Sequence, residues 1–415
     1  MQKILESKNK QTCLLIALFA TLLCLRAPYI LIYGRFWAEE GSVFFHNAFV
    51  QPPLKALFFV FGGYLNLATN ASTLIARWAV PIYYAPYVTI FIGLFFQILP
   101  LFLLLTSKNE WLSSFRTRLL ITLLLLLVPA SSEIALQSLH IQFQLALCCA
   151  IIAFLGTETG YQRWLRLSIL FLSPLCGLIV IPLLVVFGLR AFVDRNRLRY
   201  EQILVLSIGS FVQLFFFYDP FSNSARSYNF SFIDFLVVSF ARDIVIPFFG
   251  QTHATMNLIQ HLYQIRMVHY IPFLICFVPI IAFGIIIFCL IKYPKTRPAL
   301  WLLISAIILR AISIYGAIGG GLMMIDPYSS ERYVFCSQAL FCLILVVFSV
   351  TLPKKGKIIA RFFIVWLILV GVFNYFHPFS ATTNGSSWHR EIYLWEKDHH
   401  YFPKGWPAVW FIDIP

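Results

Sequence analysis

The chain has 415 residues, of which 60% are hydrophobic and 12% are charged, and this composition excludes an ordinary soluble globular protein. The formal net charge is +14, but the basic residues form small clusters between apolar segments and not one patch with interleaved aromatic side chains. We therefore interpret the clusters as topology signals, and we expect a membrane protein with no nucleic-acid partner.

Apolar segments long enough to cross a bilayer recur along the chain. Residues 166–193 are too long for one crossing and are interrupted near their middle by proline and glycine, which predicts a hairpin of two short helices. The expected fold is all-α, a polytopic integral membrane helix bundle with about eleven spans. Apart from the hairpin, the predicted spans lie at about 12–33, 83–105, 119–130, 138–155, 203–217, 271–291, 299–315, 334–352 and 358–376.

The distribution of lysine and arginine predicts the orientation of this bundle. With the amino terminus inside, most of these residues fall on the cytoplasmic side, as the positive-inside rule requires. Residues 1–376 then form one transmembrane bundle with large outer loops at 34–82 and 218–270. The tail, 377–415, lies outside, where its tryptophans suit an aromatic cap that rests on the lipid headgroups.

Residues 232–249 are apolar enough to resemble a further span. A crossing there would invert every later loop and place two lysine clusters outside. We therefore predict an interfacial or re-entrant helix on the outer face, interrupted at Arg242 and Asp243.

Two adjacent acids, Glu39 and Glu40, lie in the first outer loop within the stretch RFWAEEGSVFF. Two carboxylates held close together cannot both ionise cheaply, so the pair titrates as a unit and suits proton transfer near neutral pH. The alternative is a pair of ordinary loop acids that help to set topology, although acidic residues contribute little to topology. The pattern favours a functional site at this pair.

Four arginines lie near the outer ends of apolar segments: Arg26, Arg77, Arg310 and Arg332. A convergent set of this kind would bind a phosphate or pyrophosphate, because the guanidinium group contacts such oxygens at two points. Tyr333 follows Arg332 directly, so the arginine would bind a headgroup phosphate while the tyrosine anchors it. For Arg26, a side chain that merely reaches towards the membrane surface is the alternative.

A polar stripe follows Glu133, which lies in the predicted turn between two short spans. The spacing of Gln137, His140 and Gln144 places these three residues on one helical face. Polar groups that face lipid are costly, so we expect the four residues to line a cavity. A purely structural network between helices is the alternative.

We expect no cofactor from the sequence. The nine histidines are scattered along the chain, and HxxxH and HExxH spacings are absent. The pattern therefore does not indicate a divalent metal site.

Several stretches resemble the GT-C superfamily of membrane glycosyltransferases, which use polyprenyl-phosphate sugars, and especially the bacterial glucosyltransferase-like multispanning proteins. The resemblance covers most of the chain loosely. It implies a bundle of many helices with a carboxylate in the first outer loop, where the sugar of a lipid-phosphate-linked donor passes to an acceptor outside. The stretches are FWAEEGSVFF, YLNLATNASTLIARWAVPIYYAP, LQSLHIQFQLAL, LSPLCGLIVIPLL and ERYVFCSQAL.

The resemblance also implies roles for individual residues. The first-loop acid of the family, most often an aspartate, corresponds to Glu39 or Glu40, so we expect a catalytic glutamate that deprotonates the acceptor hydroxyl. The family's arginine and tyrosine pair corresponds to Arg332 and Tyr333. Arginines at this site would stabilise the negative charge on the departing lipid phosphate.

The expected function is therefore transfer of a sugar from a polyprenyl-phosphate donor to a hydroxyl of a glycan or lipid-linked glycan. The expected partners are these two substrates and membrane lipid, and the expected location is a bacterial inner membrane with the site facing the periplasm or exterior. A transporter or flippase of lipid-linked saccharides is one alternative, although it predicts pseudo-symmetric halves that are absent from the sequence. A polymerase of such saccharides and a structural scaffold are the others.

Overall fold

The fold is almost entirely helical. A computed structural model of the protein describes residues 2–217, 228–270, 273–326, 330–376 and 382–415, with side chains from residue 8 onward. The predicted all-α class is confirmed over these ranges. The α-helices are α1 Gln2–Arg26, α2 Pro28–Tyr33, α3 His46–Val50, α4 Pro53–Leu57, α5 Leu67–Ala79, α6 Ala85–Thr106, α7 Phe115–Leu126, α8 Ile141–Phe154, α9 Tyr161–Leu175, α10 Leu184–Asp194, α11 Arg197–Phe217, α12 Phe232–Val238, α13 Ile246–Phe249, α14 His253–Met267, α15 Phe273–Lys292, α16 Ala299–Gly316, α17 Gly320–Met323, α18 Glu331–Thr351, α19 Lys354–Tyr375 and α20 Trp388–Lys397.

Shorter elements join these helices. A two-stranded antiparallel hairpin, β1 Val60–Phe61 and β2 Tyr64–Leu65, lies in the first large loop. Wider π turns occur at Glu40–Phe45 and Ser239–Val245. The 3-10 turns are Ile82–Tyr84, Glu110–Leu112, Pro129–Ser131, Leu178–Leu183 and Pro294–Thr296.

Seven helical segments in the described ranges are long and apolar enough to cross a membrane. They correspond to seven of the predicted spans, and several long apolar helices of this kind are typical of a multi-pass membrane protein. The count of about eleven spans and the orientation stay predictions. The seven segments are Lys8–Arg26, Ile82–Thr106, Arg197–Phe217, Phe273–Lys292, Ala299–Gly316, Glu331–Thr351 and Lys354–Tyr375.

The remaining predicted spans correspond to helices that are too short to cross by themselves. Helix α8 has 14 residues, or roughly 21 Å of helix, against ~30 Å of bilayer hydrocarbon. The predicted hairpin at 166–193 corresponds to α9 and α10, which the turn Leu178–Leu183 joins. Hydrophobicity alone cannot separate these helices from true spans, because a helix that is apolar on every side also fits the interior of a protein.

Helix α8 is the centre of the bundle. All of its residues except Gln142 are buried, and it packs on α6, α9, α16 and α18. Helix α15 is the opposite case, since only Cys276, Pro279 and Leu290 are buried along its length. The apolar surface of α15 therefore faces outward, where lipid would cover it.

Two arginines satisfy the carboxyl-terminal end of α8, which stops inside the protein. The last carbonyl groups of a helix have no partners within that helix and need donors from elsewhere. Arg199 donates to the carbonyl oxygens of Leu155 at 2.6 Å and Ile152 at 3.3 Å, and Arg166 donates to that of Gly156 at 2.6 Å. These positive charges also suit the negative end of the helix dipole.

The segment at 232–249 is continuous where the sequence predicts an interruption. Helix α12 runs through the π turn Ser239–Val245 into α13, and Arg242 and Asp243 lie within that turn. Most of the segment is buried, and the turn packs against α15 and α18. The two charges do not break the helix because each has a buried partner: Arg242 donates to the Met324 carbonyl at 3.0 Å, and Asp243 pairs with Arg310.

The described part of the tail, 382–415, packs on the first large loop, 34–82, and we call it the cap. Trp388 and Ile392 of α20 and Ile412 join Phe36 and Phe45 in a small hydrophobic core separate from that of the bundle. Trp388 and Trp406 are fully buried, so these two tryptophans serve packing and not the lipid headgroups. The cap therefore covers the first loop from outside.

We predict that Arg199→Met destabilises the protein by ~3 kcal/mol, because it leaves the carbonyl groups of Leu155 and Ile152 at the end of α8 without their charged donor. Thermal unfolding of purified protein in detergent measures the change. Arg197→Met is the matched control, since Arg197 lies one half-turn earlier and is 91% exposed, and it should cost under about 1 kcal/mol. Equal losses in both variants would contradict the role of Arg199.

Candidate functional site

A cavity of about 810 Å³ opens where the first loop, the segment before α8 and the cap meet the bundle. Its walls come from many elements, since the hairpin, the turn Leu178–Leu183, and the ends of α11, α16 and α18 all contribute. Small-molecule sites are usually concave, largely apolar and provided with a few polar groups. This cavity has that character.

The cavity is lined by both apolar and charged side chains. The apolar wall consists of Leu178, Ile179, Ile181, Pro182, Leu214, Ile312 and Ile318. The charged side chains that line the cavity are Glu39, Glu133, Glu331 and Arg332. Such a surface matches a ligand with a polar head and an apolar chain.

The two adjacent acids of the first loop point to different places. Glu39 is half-buried and lines the cavity, whereas Glu40 is fully buried and does not. Ala38 adopts a left-handed conformation with φ 37°, which is rare for a residue with a side chain, and it turns the chain sharply before the pair. No described residue forms a hydrogen bond or ion pair with the Glu39 carboxylate, so it is open to a ligand.

Glu40 joins the first loop to the segment before α8. Its carboxylate accepts hydrogen bonds from the Ser138 amide at 2.7 Å, the Ser138 hydroxyl at 2.6 Å and the Trp37 amide at 3.2 Å. Burial raises the pKa of Glu40, while the hydrogen bonds from Ser138 and Trp37 act in the opposite direction. The three donors make Glu40 a structural anchor beside the cavity.

Glu133 and Arg332 form a buried ion pair in the cavity wall. The Arg332 guanidinium donates to the Glu133 carboxylate, and the Arg332 amide donates to the same group at 2.9 Å. Burial by itself raises the pKa of Glu133, but the Arg332 charge, the neighbouring His140 and the hydrogen bonds from Arg332 together outweigh burial, and the net shift is downward. The Arg332 side chain remains 26% exposed and lines the cavity.

Glu331 and the neutral His140 lie next to the Glu133–Arg332 ion pair and complete the polar cluster. Glu331 accepts from the Gln251 side chain at 3.1 Å and from the Glu133 amide at 3.3 Å. His140 donates through Nδ1 to the Glu133 carbonyl at 3.3 Å. Burial, helped by the Arg332 charge, lowers the pKa of His140 to about 4, so the imidazole is neutral at pH 7.

A row of aromatic rings connects this cluster to Glu39. Trp37, His140, Phe143 and Tyr333 follow one another with ring centroids 6.5, 5.8 and 5.9 Å apart. Each ring meets the next edge-on, and all four line the cavity. Aromatic side chains of this kind offer a ligand a large apolar surface.

The other three arginines of the predicted phosphate site lie away from the cavity. Arg26 donates to the hydroxyls of Ser131 and Ser132, Arg310 pairs with Asp243, and Arg77 lies over the rings of Phe49 and Trp78 at 4.1 and 5.1 Å. None of the three lines the cavity. The structure therefore does not bring the four arginines together, and Arg332 with Tyr333 is the pair that reaches the cavity.

The predicted polar stripe is divided in the same way. Glu133 and His140 line the cavity, Gln137 donates to the Glu133 carbonyl, and Gln144 lies in a separate small pocket between helices. The stripe divides because α8 begins only at Ile141, so the first three residues lie in a turn and do not follow helical spacing.

Several lining residues were not predicted from the sequence. Trp37, Tyr64, Gln142, Phe143 and Trp410 all face the cavity. The aromatic residues on either side of the two acids in RFWAEEGSVFF were the available signal for Trp37. The described residues contain no group of three or more histidine, cysteine or acidic side chains that would hold a metal ion.

The fold and the cavity define a class: an all-α, multi-pass membrane protein with a cavity that both apolar and charged side chains line. Neither a protein-family model nor a curated protein sequence matches this chain. Its function must therefore be argued from the site itself.

We predict that acid lowers the stability of the protein partly through His140. Its pKa in the folded state is about 4 against an ordinary value of 6.5. The unfolded chain therefore binds a proton that the folded protein does not, and stability falls as the pH drops from about 6.5 towards about 4. Thermal unfolding at pH 7 and pH 5 should show a smaller loss in His140→Gln than in the wild type. Equal losses would contradict a buried neutral His140.

Proposed function

We propose that this protein is a membrane glycosyltransferase. It moves a sugar from a polyprenyl-phosphate donor to a hydroxyl of a glycan or lipid-linked glycan at the outer face of a bacterial inner membrane. The observation that carries the proposal is the unpaired Glu39 carboxylate in a cavity with both a charged cluster and an apolar wall. A lipid-linked sugar requires this combination, because its head is polar and its carrier is a long hydrocarbon.

Glu39 is the proposed general base. It removes the proton of the acceptor hydroxyl while that oxygen forms a bond to the anomeric carbon, and the bond from this carbon to the lipid-phosphate oxygen breaks. The proton ends on Glu39 and the electron pair leaves with the lipid phosphate, so atoms and charges balance. Base assistance of this kind is worth ~10²- to 10⁴-fold in rate.

Arg332 is the proposed partner of the lipid phosphate. The Glu133 carboxylate accepts hydrogen bonds from both the Arg332 guanidinium and the Arg332 amide. These two bonds fix the position of Arg332. The partly exposed Arg332 side chain lines the cavity, where its charge would stabilise the departing phosphate. Tyr333 lies beneath it, with the Arg332 guanidinium carbon 4.8 Å from the ring centre.

The aromatic row and the apolar wall supply binding and orientation. The rings from Trp37 to Tyr333 run between Glu39 and Arg332, so a sugar that stacks on them would present its anomeric carbon between base and phosphate site. The apolar wall from 178–182 and from the ends of α11 and α16 would hold the first units of the lipid chain.

We predict that Glu39→Gln lowers kcat for sugar transfer by ~10²- to 10⁴-fold, because the amide cannot accept the proton. The assay uses purified protein in lipid nanodiscs with a panel of radiolabelled polyprenyl-phosphate sugars and extracted cell-envelope glycans. Glu110→Gln, which changes an exposed acid on the other side of the bundle, is the matched control and should keep full activity.

Two outcomes would contradict this role. Turnover that survives Glu39→Gln would remove the proposed base. Movement of an intact lipid-linked saccharide across vesicles, without formation of a glycosidic bond, would replace the transferase by a transporter.

We predict that a double variant separates the structural role of Arg332 from its role in binding. Arg332→Gln alone leaves Glu133 buried and unpaired, which costs ~3 kcal/mol of stability. Arg332→Gln combined with Glu133→Gln should regain most of that stability, because both charges are gone. The donor KM should still rise about 10- to 100-fold, the equivalent of one charge-assisted hydrogen bond. A double variant with wild-type KM would show that Arg332 only supports the fold.

A further inference from the structure

The cap touches the first loop directly beside Glu39. The Trp406 amide donates to the Phe36 carbonyl at 2.8 Å, and the Trp406 carbonyl accepts from the Ala38 amide. These two bonds form a short parallel bridge between Trp37 and Trp406. The cap therefore holds the backbone on both sides of Trp37, immediately before the proposed base.

The conformation held by this bridge is a strained one. Ala38 has a positive φ of 37°, and a left-handed conformation costs roughly 1–2 kcal/mol for a residue with a side chain. Such a conformation persists only where surrounding contacts determine it. The bond from the Ala38 amide to Trp406 is one of these contacts, and the bond from the Glu40 amide to the Trp37 carbonyl at 2.8 Å is another.

A buried ion pair fixes the cap segment that makes the bridge. Glu391 accepts from the Lys404 amide at 2.9 Å, and Arg35 donates through Nε to the Lys404 carbonyl at 2.9 Å. Arg35 and Glu391 lie 3.7 Å apart, and both side chains are almost fully buried. The backbone two residues before Trp406 is thus clamped from both sides.

Glu391 also accepts hydrogen bonds from other parts of the cap. Its carboxylate accepts from the Tyr401 hydroxyl at 2.7 Å and from the Ser386 hydroxyl. Arg35 belongs to the first loop and Glu391 to α20, so their contact is a direct connection between the loop with the proposed base and the carboxyl-terminal end of the chain.

We propose that the cap is a positioning element for Glu39, and that Arg35 and Glu391 are the residues through which it acts. Arg35 and Glu391 fix the backbone of Lys404, and through it the position of Trp406. Trp406 in turn keeps Ala38 in its left-handed conformation, which directs Glu39 into the cavity. The expected effect of the cap on catalysis rests on the proposed function. The expected effect of the cap contacts on the exposure of Glu39 is independent of that function.

The test measures Glu39 itself in the full-length protein. Carboxyl groups are labelled with a water-soluble carbodiimide and an amine, and mass spectrometry compares labelling of Glu39 with that of the exposed Glu110. Glu391→Gln removes the charge that faces Arg35, and Glu39 labelling should increase severalfold. Where transfer is measured, kcat should fall by roughly 10- to 100-fold with little change in donor KM, because the base is misplaced and the donor site is intact.

Glu396→Gln is the matched control. Glu396 lies on the same helix, is exposed and bonds to Tyr83 and not to the first loop, so Glu39 labelling and kcat should stay at wild-type values. Unchanged Glu39 labelling in folded Glu391→Gln protein would overturn the proposal. An equal increase in Glu396→Gln would overturn it as well, since any disturbance of the cap surface would then suffice.

A second variant covers the case in which Glu391→Gln does not fold. Gly385 has φ 113°, and an added Cβ would lie 2.2 Å from Nη1 of Arg35, so Gly385→Ala displaces the Arg35 side chain while both charges remain. It should increase Glu39 labelling in the same direction, and no increase would overturn the proposal. If the wild type transfers no sugar, the proposed function fails, yet the labelling still decides whether the cap positions Glu39.

Discussion

The buried carboxylate of Glu40 joins the first loop to the segment before α8, and the cavity depends on this junction. Its two hydrogen bonds from Ser138 join parts of the chain about 100 residues apart, and a third comes from the nearby Trp37 amide. Leaving such an acid without donors would cost several kcal/mol, so the two segments cannot easily separate. With Glu40 fixed inside, the left-handed turn at Ala38 directs Glu39 to the other side, into the cavity.

The same rule governs the other buried charges of the bundle. Arg199 and Arg166 satisfy the end of α8, Arg310 pairs with Asp243 in a π turn, and Glu133 holds Arg332. Each of these charges is balanced by a partner on another element, which restricts how the helices pack. Glu39 is different because it is half-buried, lines the cavity and has no described residue paired with its carboxylate, which is why we propose it as the base.

The amino-acid sequence predicts the helical class and seven helices long and apolar enough to cross a membrane, because apolar length is a local property. It also draws attention to the two adjacent acids of the first loop, one of which lines the cavity. It could not distinguish Glu39 from Glu40, since that depends on a left-handed alanine and on Ser138 far along the chain. The prediction of a shared phosphate site placed four arginines together only because each lies near the end of an apolar segment. In the structure, three of them contact partners away from the cavity. Contacts between residues distant in sequence leave no periodic pattern, so they could not be predicted. Short buried helices such as α8 have the same apolar composition as membrane spans, so the sequence does not separate the two.

The most direct measurement is an electron cryomicroscopy structure of the protein in nanodiscs with a non-transferable polyprenyl-phosphate sugar analogue. We expect the lipid chain on the apolar wall, the phosphate at Arg332 and the anomeric carbon within reach of an acceptor oxygen held by Glu39. A lipid headgroup bound elsewhere on the bundle, with the cavity filled only by solvent and Glu39 remote from the sugar, would contradict the proposed site.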